Sequence, residues 1–149
     1  MAQSRIGECT DTSGSGIVYR NTLKIGVMMD CLFCKIVAGD IPAEKLFEND
    51  HVIAFRDINP QAPFHALVIP KKHISTLDDA TAEDIEALGH LQLAAAEIAR
   101  DQGFSSDGYR TVMNCREHGG QTVYHIHLHL LGGKAMGWPP YTDTLKTPL

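Results

Sequence analysis

Nowhere does the chain approach the 18 consecutive apolar residues that a membrane-spanning helix requires, so no such span is expected. Positive charge is scarce as well. Lys and Arg total 13 against 18 Asp and Glu, a formal balance of −5, whereas a nucleic-acid-binding face needs clustered cations to displace counterions. Neither nucleic acid nor membrane is therefore an expected partner, although local donors could still hold a small anion. Cysteine is too sparse for the disulfide framework of a secreted mini-protein. Of four, Cys31 and Cys34 form a C-x-x-C pair, while Cys9 and Cys115 have no obvious partner, and a reducing cytoplasm is the simpler home. No internal repeat is visible. The first 29 residues hold no apolar segment of signal-peptide length, and Glu8 and Asp11 argue against a transit peptide.

What is present is one domain's worth of chain, 149 residues that are 44% hydrophobic and 21% charged, enough to bury a real core. Residues 1–29 are polar, with Thr12-Ser13-Gly14-Ser15-Gly16 at their middle, and are expected to form a flexible extension. The domain is expected over 30–149, with an unpatterned tail at 132–149.

Within it, residues 30–39 read as a short helix, with Asp30 as N-cap, Phe33, Ile36 and Val37 on one face, and Gly39 in the left-handed position past the end. Residues 46–48 and 51–56 read as strands joined by an Asn49-Asp50 turn. Two prolines, Pro60 and Pro63, force 57–63 open as a loop. Residues 64–70 are apolar enough for a central strand carrying His65. Thr81 caps the one long helix, where Ile85, Leu88, Leu91, Ala95, Ile98 and Ala99 recur at three- and four-residue intervals before Gly103 ends it. Further strands are expected at 109–114 and 123–131. The fold class is α+β: an antiparallel sheet of about five strands, one short helix, and one long helix covering a face.

The last strand organises the rest. His125, His127 and His129 alternate with Ile126, Leu128 and Leu130, so a side-chain period of two sends the imidazoles to one face and the aliphatics to the other. Imidazole, titrating near 6.5, suits metal binding, proton transfer or attack on an electrophile. By itself the pattern also fits a polar strand face that happens to be rich in histidine. His51, His90 and His118 read as surface or loop residues.

HIHLHLL at 125–131 follows CLFCKI at 31–36, FRDINPQAPFHALVIPKKHI at 55–74 and GGQTVY at 119–124, and precedes GGKAMGWPP at 132–140. In that order and spacing the chain resembles the histidine-triad family, and its tail resembles the nucleotide-binding, phosphoramidase-like branch. The resemblance implies a homodimer, with the strand at 109–114 and the long helix meeting their symmetry mates and Trp138 reaching the partner's site. It implies a hydrolase that cleaves the P–N bond of purine nucleoside 5′-phosphoramidates, needing no cofactor for the chemistry. His127 would attack phosphorus, since a neutral imidazole is a good nucleophile whose phosphoryl adduct is labile. Its far nitrogen must then hold its proton against an acceptor, either His65 or a backbone carbonyl. His129 would stand near the phosphoryl oxygens or the departing amine as a protonated imidazole.

Other roles come with the same resemblance. Gly120, Gln121 and Thr122 would meet the phosphate, with Thr122 standing where the branch usually has serine. Asp57, which equally suits an Asx turn before Asn59-Pro60, would grip the ribose hydroxyls. Asn114 would contact sugar or phosphate, and Leu32, Phe33, Ile36, Phe55 and Ile58 would form an apolar slot for the base unless they are ordinary core. Cys31, Cys34, His73 and His125 would make a closed Cys2His2 set for a structural zinc. The sequence Cys115-Arg116-Glu117-His118 departs from the small acidic loop common in the branch, which leaves the leaving-group specificity open. A dinucleoside polyphosphate hydrolase and a non-catalytic nucleotide- or zinc-binding adaptor are the alternative readings.

Overall fold

A computed structural model describes residues 30–140. The expected extension at 1–29 and the end of the tail, 141–149, lie outside the described residues. Helix α1 (Leu32–Ala38) leads into strands β1 (Lys45–Glu48), β2 (Val52–Arg56) and β3 (Phe64–Pro70), followed by helix α2 (Ile85–Asp101), β4 (Arg110–Val112) and β5 (Leu128–Gly132). The five strands form one sheet in the order β1-β2-β3-β5-β4, every neighbouring pair antiparallel. No helix among the described residues is long and apolar enough to cross a membrane.

Register fixes the two faces. β3 is buried along its whole length between β2 and β5, with Ala66 opposite Leu130, Leu67 opposite His129 and Val68 opposite Leu128. Phe64, Ala66 and Val68 join Ile126, Leu128 and Leu130 in the larger core, against Leu91, Ala94, Ala95, Ile98 and Ala99 of α2. Each fully buried Val, Leu or Ile there contributes about 1.5–3 kcal/mol. Leu67 and Ile69 face the other way and pack with Ile53, Phe55 and Phe33 beneath α1. The short helix covers part of that second face, and the histidines occupy the remainder.

Several boundaries differ from the sequence reading. The N-cap of α1 is Cys31, whose Sγ accepts from the Cys34 backbone N–H at 3.4 Å, and not Asp30; Gly39 does take the left-handed position, with φ of 81°. Thr81 caps a 3₁₀ turn at Ala82–Asp84 that runs into α2, and the Asp84 side chain completes a capping box. Ile85, expected on the core face, is 68% exposed, and the buried residue at the start of α2 is Asp84, which pairs with Lys72 at 2.7 Å.

The expected strand at 123–131 shrinks to β5. Pro70 ends β3 without an N–H to offer, so the chain at 125–126 bonds instead to the loop beyond: Ile126 N–H donates to the Ile74 carbonyl at 2.8 Å. His125 and His127 therefore precede the paired strand while keeping its alternation. The expected strand at 109–114 likewise shortens to the edge strand β4.

Candidate functional site

Two carbonyl groups decide what the first two triad histidines can do. A carbonyl only accepts, so the ring nitrogen facing it must carry the proton. His127 Nδ1–H donates to the His125 carbonyl at 2.9 Å, which leaves its Nε2 with a free lone pair. His125 Nε2–H donates to the Pro70 carbonyl at 2.9 Å, which leaves the lone pair on Nδ1. A backbone carbonyl, not His65, thus orients His127. Phe33 packs its ring edgewise against both, at centroid distances of 5.8 Å to His125 and 5.2 Å to His127.

The third histidine is set by a longer relay. The Gln61 backbone N–H donates to His65 Nδ1 at 2.9 Å, so the neutral His65 ring holds its proton on Nε2. That nitrogen lies 2.9 Å from His129 Nδ1 and 3.4 Å from Asp57 Oδ2. His129 accepts on Nδ1 and is left with its own N–H on Nε2. Burial above all pushes His129 down to about 4; His127 and His65 push the same way, against the pull of Asp57. Burial also lowers His65. His129 is therefore a neutral hydrogen-bond donor in the free protein at neutral pH. An anionic phosphoryl group beside it would offset the burial and favour its charged form.

The metal-ligating residues come together closely. His125 Nδ1 lies 3.2 Å from His73 Nδ1, 3.5 Å from Cys31 Sγ and 3.6 Å from Cys34 Sγ, and Cys34 Sγ lies 3.3 Å from His73 Nδ1. Zinc bond lengths in tetrahedral geometry require ligand separations of about 3.3–3.8 Å, so the donor set fits a metal ion. Burial first lowers His125 to about 4, which keeps its Nδ1 lone pair available. A disulfide sulfur has no thiolate to give, so ligation requires Cys34 in its reduced form. The four-ligand set is complete in the reduced chain.

The remaining predicted residues divide. Asp57 makes the Asx turn, Oδ1 accepting from Asn59 N–H at 2.8 Å, while Oδ2 faces His65. Phe33 and Phe55 are core, whereas Leu32 is 45% exposed, Ile58 fully exposed and Ile36 half-buried, so these three carry the open apolar surface. Thr122 is exposed beside the triad. Asn114 Nδ2 donates to the Gly120 carbonyl at 3.4 Å. The glycines before the triad answer first to their own turn: a Cβ on Gly119 would meet the Cys115 carbonyl oxygen at 2.4 Å, and Gly120 has φ of 78°.

The Gln121 side chain is turned inward and fully engaged, and its backbone N–H, expected near the phosphate, donates to the Arg116 carbonyl at 3.0 Å. Its Nε2 donates to the Ser75 carbonyl at 2.7 Å and the Val123 carbonyl at 3.0 Å, and its Oε1 accepts from Arg116 N–H at 2.9 Å. It ties the loop before the triad to the loop that carries His73. Sequence reading missed this clamp and the Gln61 amide, since neither a backbone donor nor an inward-turned carboxamide leaves a mark in residue type.

The family model described as "Scavenger mRNA decapping enzyme C-term binding" matches residues 30–138. The chain is 50% identical over 108 residues to the purine nucleoside phosphoramidase of Escherichia coli K12, covering 72% of this chain and 91% of that protein. Among solved structures, a HIT family hydrolase from Legionella pneumophila is similar with a TM-score of 0.73 and 54% identity, over 75% of this chain and all of that one. A Zn-bound histidine triad family protein from Mycobacterium smegmatis is similar with a TM-score of 0.63 and 32% identity, over 80% and 85% of the two chains. With its three alternating imidazoles on a five-stranded antiparallel sheet, this chain belongs to the histidine-triad family of hydrolases.

Proposed function

We propose that the protein hydrolyses the P–N bond of purine nucleoside 5′-phosphoramidates through a nucleotidyl-His127 intermediate. The observation that carries this is the His127 Nδ1–H bond to the His125 carbonyl, which points an unprotonated Nε2 away from its anchor. That lone pair attacks the α-phosphorus and the P–N bond breaks. The amine departs with a proton from His129 Nε2, whose charging the bound phosphate favours. Water then attacks phosphorus and gives a proton back to His129 Nε2, the bond to His127 breaks, and the nucleoside monophosphate leaves. In this reading Asp57 Oδ2 holds the ribose, the Thr122 hydroxyl meets the phosphate, Asn114 reaches the sugar or phosphate, and the base lies on Leu32, Ile36 and Ile58, while the N–H groups of Gly120 and Gln121 already donate to the Glu117 and Arg116 carbonyls at 2.9 and 3.0 Å. The substrate named for the Escherichia coli relative supports the class.

The Cys31-Cys34-His73-His125 set is proposed to hold a structural zinc, which pins His125 and leaves His127 free to react. Its thiolates need a reducing compartment, which favours the cytoplasm. A homodimer is proposed because the exposed stripe Ile85, Gly89, Leu93 on α2 and β4, an edge strand among the described residues, together offer an apolar face, and Trp138 stands 84% exposed beyond it.

The test compares three chains of events on one preparation. Adenosine 5′-phosphoramidate should turn over and a dinucleoside triphosphate should not. His127→Ala should abolish turnover while nucleotide still binds. Preference for the dinucleotide would instead favour the polyphosphate hydrolase, and tight binding without turnover in the wild type an adaptor.

A further inference from the structure

Away from the triad, the β1–β2 turn and the first turns of α2 bring together a second set of donors. His51 and His90 stack face to face, their ring centroids 4.2 Å apart and their planes within 10°. Glu86, one turn before His90 on the same helix, reaches His51 Nε2 with Oε1 at 3.4 Å. One donor atom from each of the three residues lies within 4.8 Å of the others.

The backbone under these side chains is held firmly. Asn49 Oδ1 accepts from the N–H groups of His51 and Val52 at 2.8 and 2.9 Å, and Lys71 N–H donates to the His51 carbonyl at 2.8 Å. That leaves Asn49 Nδ2 donating to His90 Nδ1 at 3.2 Å, a bond that His90 gives up when it offers a lone pair to an ion. On the other side, α2 is anchored by its buried Leu91 and Ala95. Two rigid elements therefore present the donors, and closing on an ion exchanges the Asn49 bond to His90 for a metal bond.

A cavity of about 320 Å³ opens beside the cluster, with His51 and Glu86 in its wall. Its lysines are already engaged, Lys71 with Glu48 at 3.0 Å and Lys72 with Asp84 at 2.7 Å. Asp50 and Glu83 add further carboxylates, so the wall favours a cation.

The geometry points to a second metal site here: His51, Glu86 and His90 as three protein ligands for a divalent transition ion of the Zn²⁺, Co²⁺ or Ni²⁺ kind, with remaining positions open to water from the cavity. Two imidazoles and one carboxylate are a donor set suited to such ions and poorly suited to Mg²⁺ or Ca²⁺, which prefer oxygen throughout. Bound there, the ion clamps the β1–β2 turn to the start of α2. It shares no ligand with the Cys2His2 set, and it stands apart from the phosphoramidase reading.

Titration of the reduced full-length chain with Co²⁺ tests this, because a thiolate site produces sulfur-to-metal charge-transfer absorption and an imidazole–carboxylate site does not. The wild type should take up two equivalents, only one of which raises the thiolate band. His51→Ala and His90→Ala should each weaken the second equivalent at least tenfold, leaving the thiolate-linked one and the phosphoramidate turnover unchanged. The same second equivalent should raise the melting temperature of the wild type and not that of the variants. Glu86→Gln, at an exposed side chain, gives the same readout should a histidine variant misfold. Uptake of a single equivalent by the wild type, or a second equivalent that survives in the His51→Ala/His90→Ala double variant, would overturn the proposal.

Discussion

His65 Nε2 stands 2.9 Å from His129 Nδ1, and this contact decides which nitrogen of His129 faces the open side of the sheet. The Gln61 amide fixes the His65 proton, His65 fixes the His129 lone pair, and His129 is left with one outward N–H. The relay runs through the loop that Pro60 and Pro63 hold open, so a segment without regular structure sets the protonation of a side chain on β5.

If that outward N–H becomes the leaving group's proton source, the cost of losing it must depend on the leaving group. His129→Gln should lower kcat for an alkylamine phosphoramidate by roughly 10²–10⁴-fold. It should lower kcat far less for a p-nitrophenyl ester of the same nucleotide, whose anion departs without protonation. Equal losses on the two substrates would remove His129 from this role. Nucleotide binding to the wild type should also take up protons below neutral pH, seen as a buffer-dependent binding enthalpy that the variant lacks, since the arriving phosphate favours the charged ring.

The buried imidazoles make stability pH-dependent in a definite direction. Burial lowers His125 and His129 from 6.5 to about 4, and it lowers His65 as well. Between those values the unfolded chain binds more protons than the folded one, so stability is greatest above about 6.5 and is lost as pH falls towards 4. The urea midpoint of the reduced, metal-free chain should fall through that window, and His129→Gln should flatten the fall. An unchanged slope in the variant would assign the titration to other groups.

Much of this was legible in the sequence because period and punctuation carry it. The His125-His127-His129 alternation places Ile126, Leu128 and Leu130 in the core as read, and β3 runs over the residues its apolar content marks. The Cys31, Cys34, His73 and His125 cluster was legible through resemblance. What was not legible depends on main-chain partners. That β5 starts only at Leu128 follows from where Pro70 stops β3, and that Gln121 turns inward follows from three backbone groups waiting for it. Ile85 fits the helical period, yet period alone does not say that the buried residue at the helix start is Asp84.

Metal loading should be visible as stability as well as stoichiometry. The reduced chain holds Cys31 and Cys34 within tetrahedral reach of His73 and His125, so zinc binding should release protons and raise the melting temperature by RT ln(1 + [L]/Kd). Removing it with a chelator should lower the melting temperature while turnover at low temperature persists, because no step of the P–N cleavage passes through the ion. Cys34→Ser should abolish the increment. Loss of turnover in proportion to metal content would make the ion catalytic instead.

Gln121 gives the sharpest contrast with its neighbour Thr122. Its carboxamide is 6% exposed and serves the Ser75 and Val123 carbonyls and the Arg116 N–H. Gln121→Leu strands those partly buried groups, some of which water can reach, so a net loss of roughly 1–3 kcal/mol in urea unfolding is expected. Thr122→Ala, at an exposed side chain, should stay within about 0.5 kcal/mol of the wild type and act on turnover alone. In the Gln121 variant kcat should fall together with stability as the loops carrying His73 and His127 separate, and Gln121→Glu should not rescue it, since a carboxylate cannot donate to two carbonyls. A Gln121 variant of wild-type stability with raised KM would place the side chain at the phosphate.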